Sequence, residues 1–205
     1  MKISALKKLL RTEGGRWFSD EIWKYSSTWE QFVVLRLNQL FEKENENKFS
    51  IEFTGFGAGV SGRIKDDRTD KEMAEAPFDL LVKKDNVKVA ELEIAADRKY
   101  TWNNSHVIPT RADKVERAKG KPLPCFMVYV LTREDPPRVL WLPFNKIAAE
   151  GKEKSQFVED VSGTPIMAVS NYYVRKEIWN IGLESLVSEL FSLAGRSSVK
   201  AVPPV

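Results

Sequence analysis

Cysteine and histidine are almost absent from this chain: one of each, Cys125 and His106, in 205 residues. A single cysteine excludes an intramolecular disulfide and a cysteine-built zinc site. A single histidine excludes the His-rich metal sites and leaves any Ser-His-Asp scheme to run through His106 alone. Long apolar runs are missing too. None approaches the ~20 residues of a membrane-spanning helix, and the apolar stretch within MKISALKKLLRTEGG is too short for a secretory signal. The net charge of +3 is too small to specify a nucleic-acid partner by itself. What is present is a core: 42% hydrophobic residues against 30% charged, in a chain of single-domain length. The expectation is a soluble, cytoplasmic domain without a membrane partner.

Residues 2–12 (KISALKKLLRT) carry a helical pattern, with Ile3, Leu6, Leu9 and Leu10 on one face and Gly14-Gly15 closing it. Residues 1–16 hold five cations against the single acid Glu13. An aromatic patch of Trp17, Phe18, Trp23, Tyr25 and Trp29 follows. A longer helix is expected from Ser27 or Thr28, where Thr28 and Gln31 have capping-box spacing, with Val33, Leu37, Leu40 and Phe41 as its apolar stripe. Alternation predicts a strand over 49–56 (FSIEFTGF), and the Asp85-Asn86 turn signal separates two more, PFDLLVKK and VKVAELEIAA. Residues 111–119 predict a short helix, and CFMVYVLT (125–132) a central strand buried on both faces. RVLWLPF and IMAVSNYYV are further strand candidates, 145–163 a polar connection, and 183–195 an amphipathic terminal helix. The organisation expected is an N-terminal helix and aromatic segment over 1–26, a main domain over 27–195 and a loose tail over 196–205. Its fold class is α/β, a mixed β-sheet flanked by helices.

Some signals do not carry chemistry. Gly57-Ala58-Gly59-Val60-Ser61-Gly62 fits G-x-G-x-x-G after a strand, but RIKDDRTDKEMAEA lacks the apolar face that a dinucleotide-binding helix would pack. It reads as a loop over 57–75. His106 lies in a polar loop, and Cys125 opens a buried strand and reads as a small core residue. Trp102, just after the acidic strand, is the one tryptophan placed to meet a substrate.

The informative segment is Ala76-Pro77-Phe78-Asp79-Leu80-Leu81-Val82, a turn, then Val89-Ala90-Glu91-Leu92-Glu93-Ile94. An acid opening one apolar strand and two acids inside the next are costly unless something binds them. Alternate residues of a strand share a face, so Glu91 and Glu93 point the same way, and the hairpin can bring that face beside Asp79. Converging carboxylates without thiols or imidazoles suit a hard cation such as Mg²⁺ or Mn²⁺. An ion-paired sheet edge, with Lys83, Lys84 and Lys88 as partners, is the alternative account.

P-x-D on a strand, a hairpin, and acid-x-residue spacing on the next strand resemble the PD-(D/E)xK nuclease superfamily. That group includes archaeal Holliday-junction resolvases, type II restriction enzymes and RecB-like repair nucleases. The resemblance covers residues 27–142 and implies a restriction-endonuclease-like fold. It implies that Asp79 and Glu91 bind the metal, that Glu93 stands where a lysine is usual and serves as a further ligand or orients water, and that Glu30 completes the site from the first helix. A second register makes Glu93 the motif acid and puts Ala95 in the lysine position, with Arg98 or Lys99 reaching in. Glu91-x-Glu93 is the favoured register, because it leaves no apolar residue in a polar slot.

Residues 97–121 add seven cations against three acids, directly after the acidic strand. Of these, Arg98, Lys99, Arg111, Lys114 and Arg117 are expected to contact DNA phosphates. The resulting expectation is an Mg²⁺- or Mn²⁺-dependent DNA endonuclease acting as a homodimer. The alternative is a nucleic-acid-binding or assembly protein that keeps the fold without catalysis.

Overall fold

Strand alternation and one wholly apolar run set up most of the architecture. The computed structural model describes residues 20–44, 48–54, 78–97, 106–132, 136–159 and 165–199. The expected helix 2–12, the 57–75 loop, Trp102, Arg98 and Lys99, and tail residues 200–205 lie outside them. The elements in chain order are α1 (Asp20–Lys43), β1 (Phe49–Phe53), β2 (Leu80–Lys84), β3 (Val87–Ala96), β4 (Val107–Arg111), α2 (Ala112–Lys119), β5 (Cys125–Leu131) and β6 (Arg138–Pro143). They continue with α3 (Phe144–Glu150), β7 (Lys152–Glu159), β8 (Pro165–Arg175), β9 (Asn180–Ile181) and α4 (Leu183–Val199).

Six strands form the main sheet in the order β1-β2-β3-β5-β6-β9, and β4-β8-β7 form a second. Within the main sheet β3 and β5 pair in parallel, and the other neighbours are antiparallel. β5 is buried along its whole length, as its sequence CFMVYVL predicts for a strand covered on both faces. One face packs on α1 and α4: Val33, Leu37 and Phe41 meet Leu80, Leu92, Ile94, Val128, Val130, Leu186 and Leu190. The other buries Met127, Tyr129, Leu131, Leu140 and Leu142 against Val115 of α2, Phe144 and Ile147 of α3, Ile108 of β4 and Val174 of β8. The expected fold class, a mixed sheet flanked by helices, is the one observed. Among the described residues, no helix is long and apolar enough to cross a membrane.

Three expectations are corrected. The long helix begins at Asp20 rather than Ser27 or Thr28, so Thr28 and Gln31 lie inside it rather than at its start. The expected strand 77–84 starts only at Leu80, because the Asp79 side chain takes over the hydrogen bonding there. Residues 145–163 are not a polar connection. They hold most of α3 and then β7, an edge strand whose polar sequence KEKSQFVE hides its period.

The β2–β3 hairpin turns at Asp85-Asn86, where both residues have positive φ (49° and 64°), the geometry that lets a two-residue turn follow strand twist. At the corner from α3 into β7, a Cβ on Gly151 would lie 2.6 Å from the Ile147 carbonyl oxygen and 3.1 Å from Tyr172. Gly151→Ala is therefore expected to cost roughly 1–3 kcal/mol. Urea unfolding checks this: an unchanged midpoint would show that the corner has room to spare.

Candidate active site

β3 presents two chemistries on its two faces. Ala90, Leu92 and Ile94 point into the layer under α1 and α4. Glu91 and Glu93 point the other way, level with Cys125 and Met127 of β5, and both are buried. Two carboxylates in an apolar layer need cations, and α2 provides them. The chain returns from β3 to the parallel strand β5 through α2, so the helix runs against the strand and the pairs form in reverse order. Glu91 meets Lys121, just beyond the helix end, at 3.2 Å. Glu93 meets Lys114, which donates to Oε1, and Arg117, whose Nη2 is 3.3 Å from Oε2. Residues 114, 117 and 121 share one helical face by spacing.

The two acids then diverge in what they touch. Glu91 Oε2 accepts the Phe78 backbone N–H at 3.0 Å, and the Glu91 and Lys121 side chains are each only 8% exposed. The Phe78 ring stacks on Phe144 and carries the Arg117 guanidinium 4.2 Å from its centroid. Thr54 completes the anchorage: its N–H donates to the Asp79 carbonyl oxygen at 3.2 Å and its hydroxyl to the Phe78 carbonyl. Glu91 therefore serves as a structural tie on the Phe78-Asp79 segment.

Asp79 is set at Glu93. A bulge between Val82 and Lys83 shifts the β2–β3 register by one residue, giving Val82↔Ala90 and Leu80↔Leu92. Continuing that pairing brings Asp79 level with Glu93; an unbulged hairpin would put it level with Leu92. Asp79 Oδ2 accepts the Ile94 N–H at 2.8 Å. Burial, then the neighbouring Glu93 charge, raise the Asp79 carboxyl well above the ordinary range. Lys114 works against that rise, Glu30 adds to it, and the Ile94 N–H opposes it weakly. Glu30, buried one turn before Val33 on α1, thus belongs to the same electrostatic cluster.

Of the expected site residues, Asp79 is influenced by the charges of Glu93 and Glu30, and Glu91 is turned to Lys121. Among the expected phosphate contacts, Lys114 and Arg117 face Glu93, and Arg111 lies at the surface bound to Asp113 through two hydrogen bonds of 2.9 and 2.7 Å. Lys121 was not singled out from the sequence, although a buried strand acid demands such a partner and the basic run supplies it. His106 is exposed. Burial, and secondarily the Glu91 charge, push the Cys125 thiol up to about 12, which makes it a core residue rather than a nucleophile.

Among the described residues, no three His, Cys, Asp or Glu side chains stand close enough to hold an ion as they are. The ammonium of Lys114 sits on Glu93 instead. The donors nevertheless suit a hard divalent cation, being carboxylate oxygens.

No family model and no curated protein matches the sequence. Among solved structures, D212, a nuclease from a fusselovirus, is similar with a TM-score of 0.51 over 87% of this chain and 96% of that one, at 13% sequence identity. The likeness is one of fold.

Two stability measurements separate Glu91 from Asp79. Lys121→Met leaves a buried carboxylate unpaired and is expected to cost about 3–5 kcal/mol in urea unfolding; a loss under about 1 kcal/mol would contradict the structural role. Folding favours the neutral form of Asp79, so its contribution is full at low pH and is lost as pH rises through the raised value. Asp79→Asn is accordingly expected to raise the melting temperature at pH 8 and to give no gain at pH 4, with equal shifts at both pH values as the contrary result.

Proposed function

We propose that this chain is a metal-dependent nuclease that hydrolyses phosphodiester bonds in DNA. The observation carrying this reading is the hairpin register that continues to bring the buried Asp79 level with Glu93, beside the cations Lys114 and Arg117 of α2. The fold likeness to a viral nuclease supports it. Asp79 and Glu93 would hold Mg²⁺ or Mn²⁺, and Glu30 would complete the set from α1. Such an ion supplies Lewis-acid stabilisation of charge on a phosphate. In the hydrolysis, water forms a new O–P bond, the P–O bond to one sugar breaks, and the proton released by water ends on the departing oxygen. Glu91 takes no ligand role in this scheme. With Lys121 it fixes the Phe78-Asp79 backbone, so the Asp79 carboxylate starts from a set position. A homodimer would place one such site on each strand of a duplex.

One observation favours a second reading, a nucleic-acid-binding protein without catalysis: Lys114 and Arg117 engage both oxygens of Glu93, and position 95 is alanine rather than lysine. Cleavage decides between them. The wild-type chain with Mg²⁺ or Mn²⁺ is expected to nick or linearise plasmid or branched DNA. Asp79→Ala and Glu93→Gln are expected to lower the rate by about a hundredfold or more while DNA binding in Ca²⁺ persists. Binding of DNA without cleavage of any linear, circular or branched substrate would establish the second reading.

A further inference from the structure

We propose that the outward face of the second sheet, β4-β8-β7, binds single-stranded DNA, with Lys152, Lys154, Arg111 and Arg175 on phosphates and the Tyr173 ring against a base. The choice of DNA over RNA rests on the nuclease reading above. The phosphate-and-base chemistry does not, and it requires neither a metal ion nor cleavage.

Strand pairing sorts the residues of this sheet onto two faces. Ile108 stands opposite Val174, and both are buried in the layer shared with the main sheet. Thr110, Tyr172 and Glu153 form the next row of that inner face, where the Tyr172 and Ser170 hydroxyls donate to Glu116 and Glu153. The alternate residues make the outer face: Val107 beside Arg175, then Pro109, Tyr173 and Lys152 in one row, then Arg111, Asn171 and Lys154 in another. These three rows hold four cations and no acid. All four cations are exposed, and Tyr173 is half-buried. Among the described residues, Arg111 alone of the four is paired with a carboxylate, that of Asp113. An exposed pair of this kind contributes little, so a phosphate can replace the acid.

Lysines on the edge strand β7 would by themselves be explained as guards against edge-to-edge pairing. That account covers neither Arg175, on the central strand β8, nor the aromatic ring two residues before it. The Lys154 ammonium lies 5.9 Å from the centre of the Tyr173 ring, so cation and aromatic form one patch. Strands about 5 Å apart make the face roughly 10 Å across, with rows about 7 Å apart along it. Three strands are too broad for a groove that takes a helix or a two-stranded ribbon, so a duplex would reach this face with phosphates alone. A single strand offers both partners: its phosphates meet the cations, and an unpaired base stacks on Tyr173.

Fluorescence anisotropy of a labelled oligothymidylate, with the whole chain in EDTA, tests this apart from cleavage. Tyr173→Ala is expected to weaken binding about tenfold, while Tyr173→Phe, which keeps the ring, stays within about twofold of wild type. Lys152→Gln combined with Lys154→Gln is expected to weaken binding and to lower the salt slope by about 1.4, two contacts at about 0.7 each on a single strand. Arg36→Gln, at an exposed cation of α1, serves as the control and is expected to change neither. A control that loses as much as the lysine pair overturns the proposal, because general charge attraction then accounts for binding. An indifferent Tyr173→Ala overturns it too, as does a wild-type chain that leaves the oligonucleotide free. Should melting show that Tyr173→Ala does not fold, the lysine pair, whose positions are exposed, decides against the same control. Binding lost in these variants of a chain that cuts nothing sinks the nuclease reading and leaves the face standing. Undiminished binding in a chain that does cut sinks the face alone.

Discussion

Two carboxylates buried on an apolar sheet face have to be neutralised, and the placement of α2 follows from that requirement. An ion withdrawn from water costs several kcal/mol even after relaxation, and the cost is offset only by well-placed partners. Glu91 and Glu93 stand two residues apart on β3, and α2 answers them with Lys114, Arg117 and Lys121 at helical spacing. The helix also buries Val115 in the apolar layer, so one short element closes the core and balances the charge. Removing either set of residues would leave the other without a reason to be inside.

The same pairing divides the work between neighbouring acids. Glu91 is closed off: an ammonium on one side, a backbone N–H on the other, almost no solvent. Glu93 is as buried, but its two cations, Lys114 and Arg117, stay partly exposed, and its charge acts on Asp79. A carboxylate with fixed partners shapes the backbone. This contrast is the physical basis for reading the first acid as structural and for proposing the second as a metal ligand.

Much of this was legible in the residues themselves. The alternation in VKVAELEIAA gives a shared face for Glu91 and Glu93, and CFMVYVL gives the buried central strand beside it. The registry of Asp79 was not legible. Turn chemistry at Asp85-Asn86 predicts a tight hairpin, but the bulge at Val82/Lys83 that moves Asp79 from the level of Leu92 to that of Glu93 leaves no signature in residue types. Nor was the pairing of the strand acids with α2 legible, because it depends on how the connection from β3 to β5 folds back. β7 escaped notice for another reason: an edge strand of charged residues lacks the period that burial imposes on inner strands.

The second sheet has a consequence for how the molecule comes into being. β4, which leads directly into α2, has its hydrogen-bonding partner in β8, with Val107 opposite Arg175. During synthesis the acidic strand emerges long before the segment that anchors its neutralising helix. Until β8 has been made, β4 lacks its strand partner, and α2 has only β3, β5 and α3 to hold it. Assembly of the acidic corner is therefore tied to a pairing between distant parts of the chain, the kind that closes late in folding. A nascent or truncated chain ending before β8 would carry the acids and their cations without the strand pairing that anchors β4 and the start of α2.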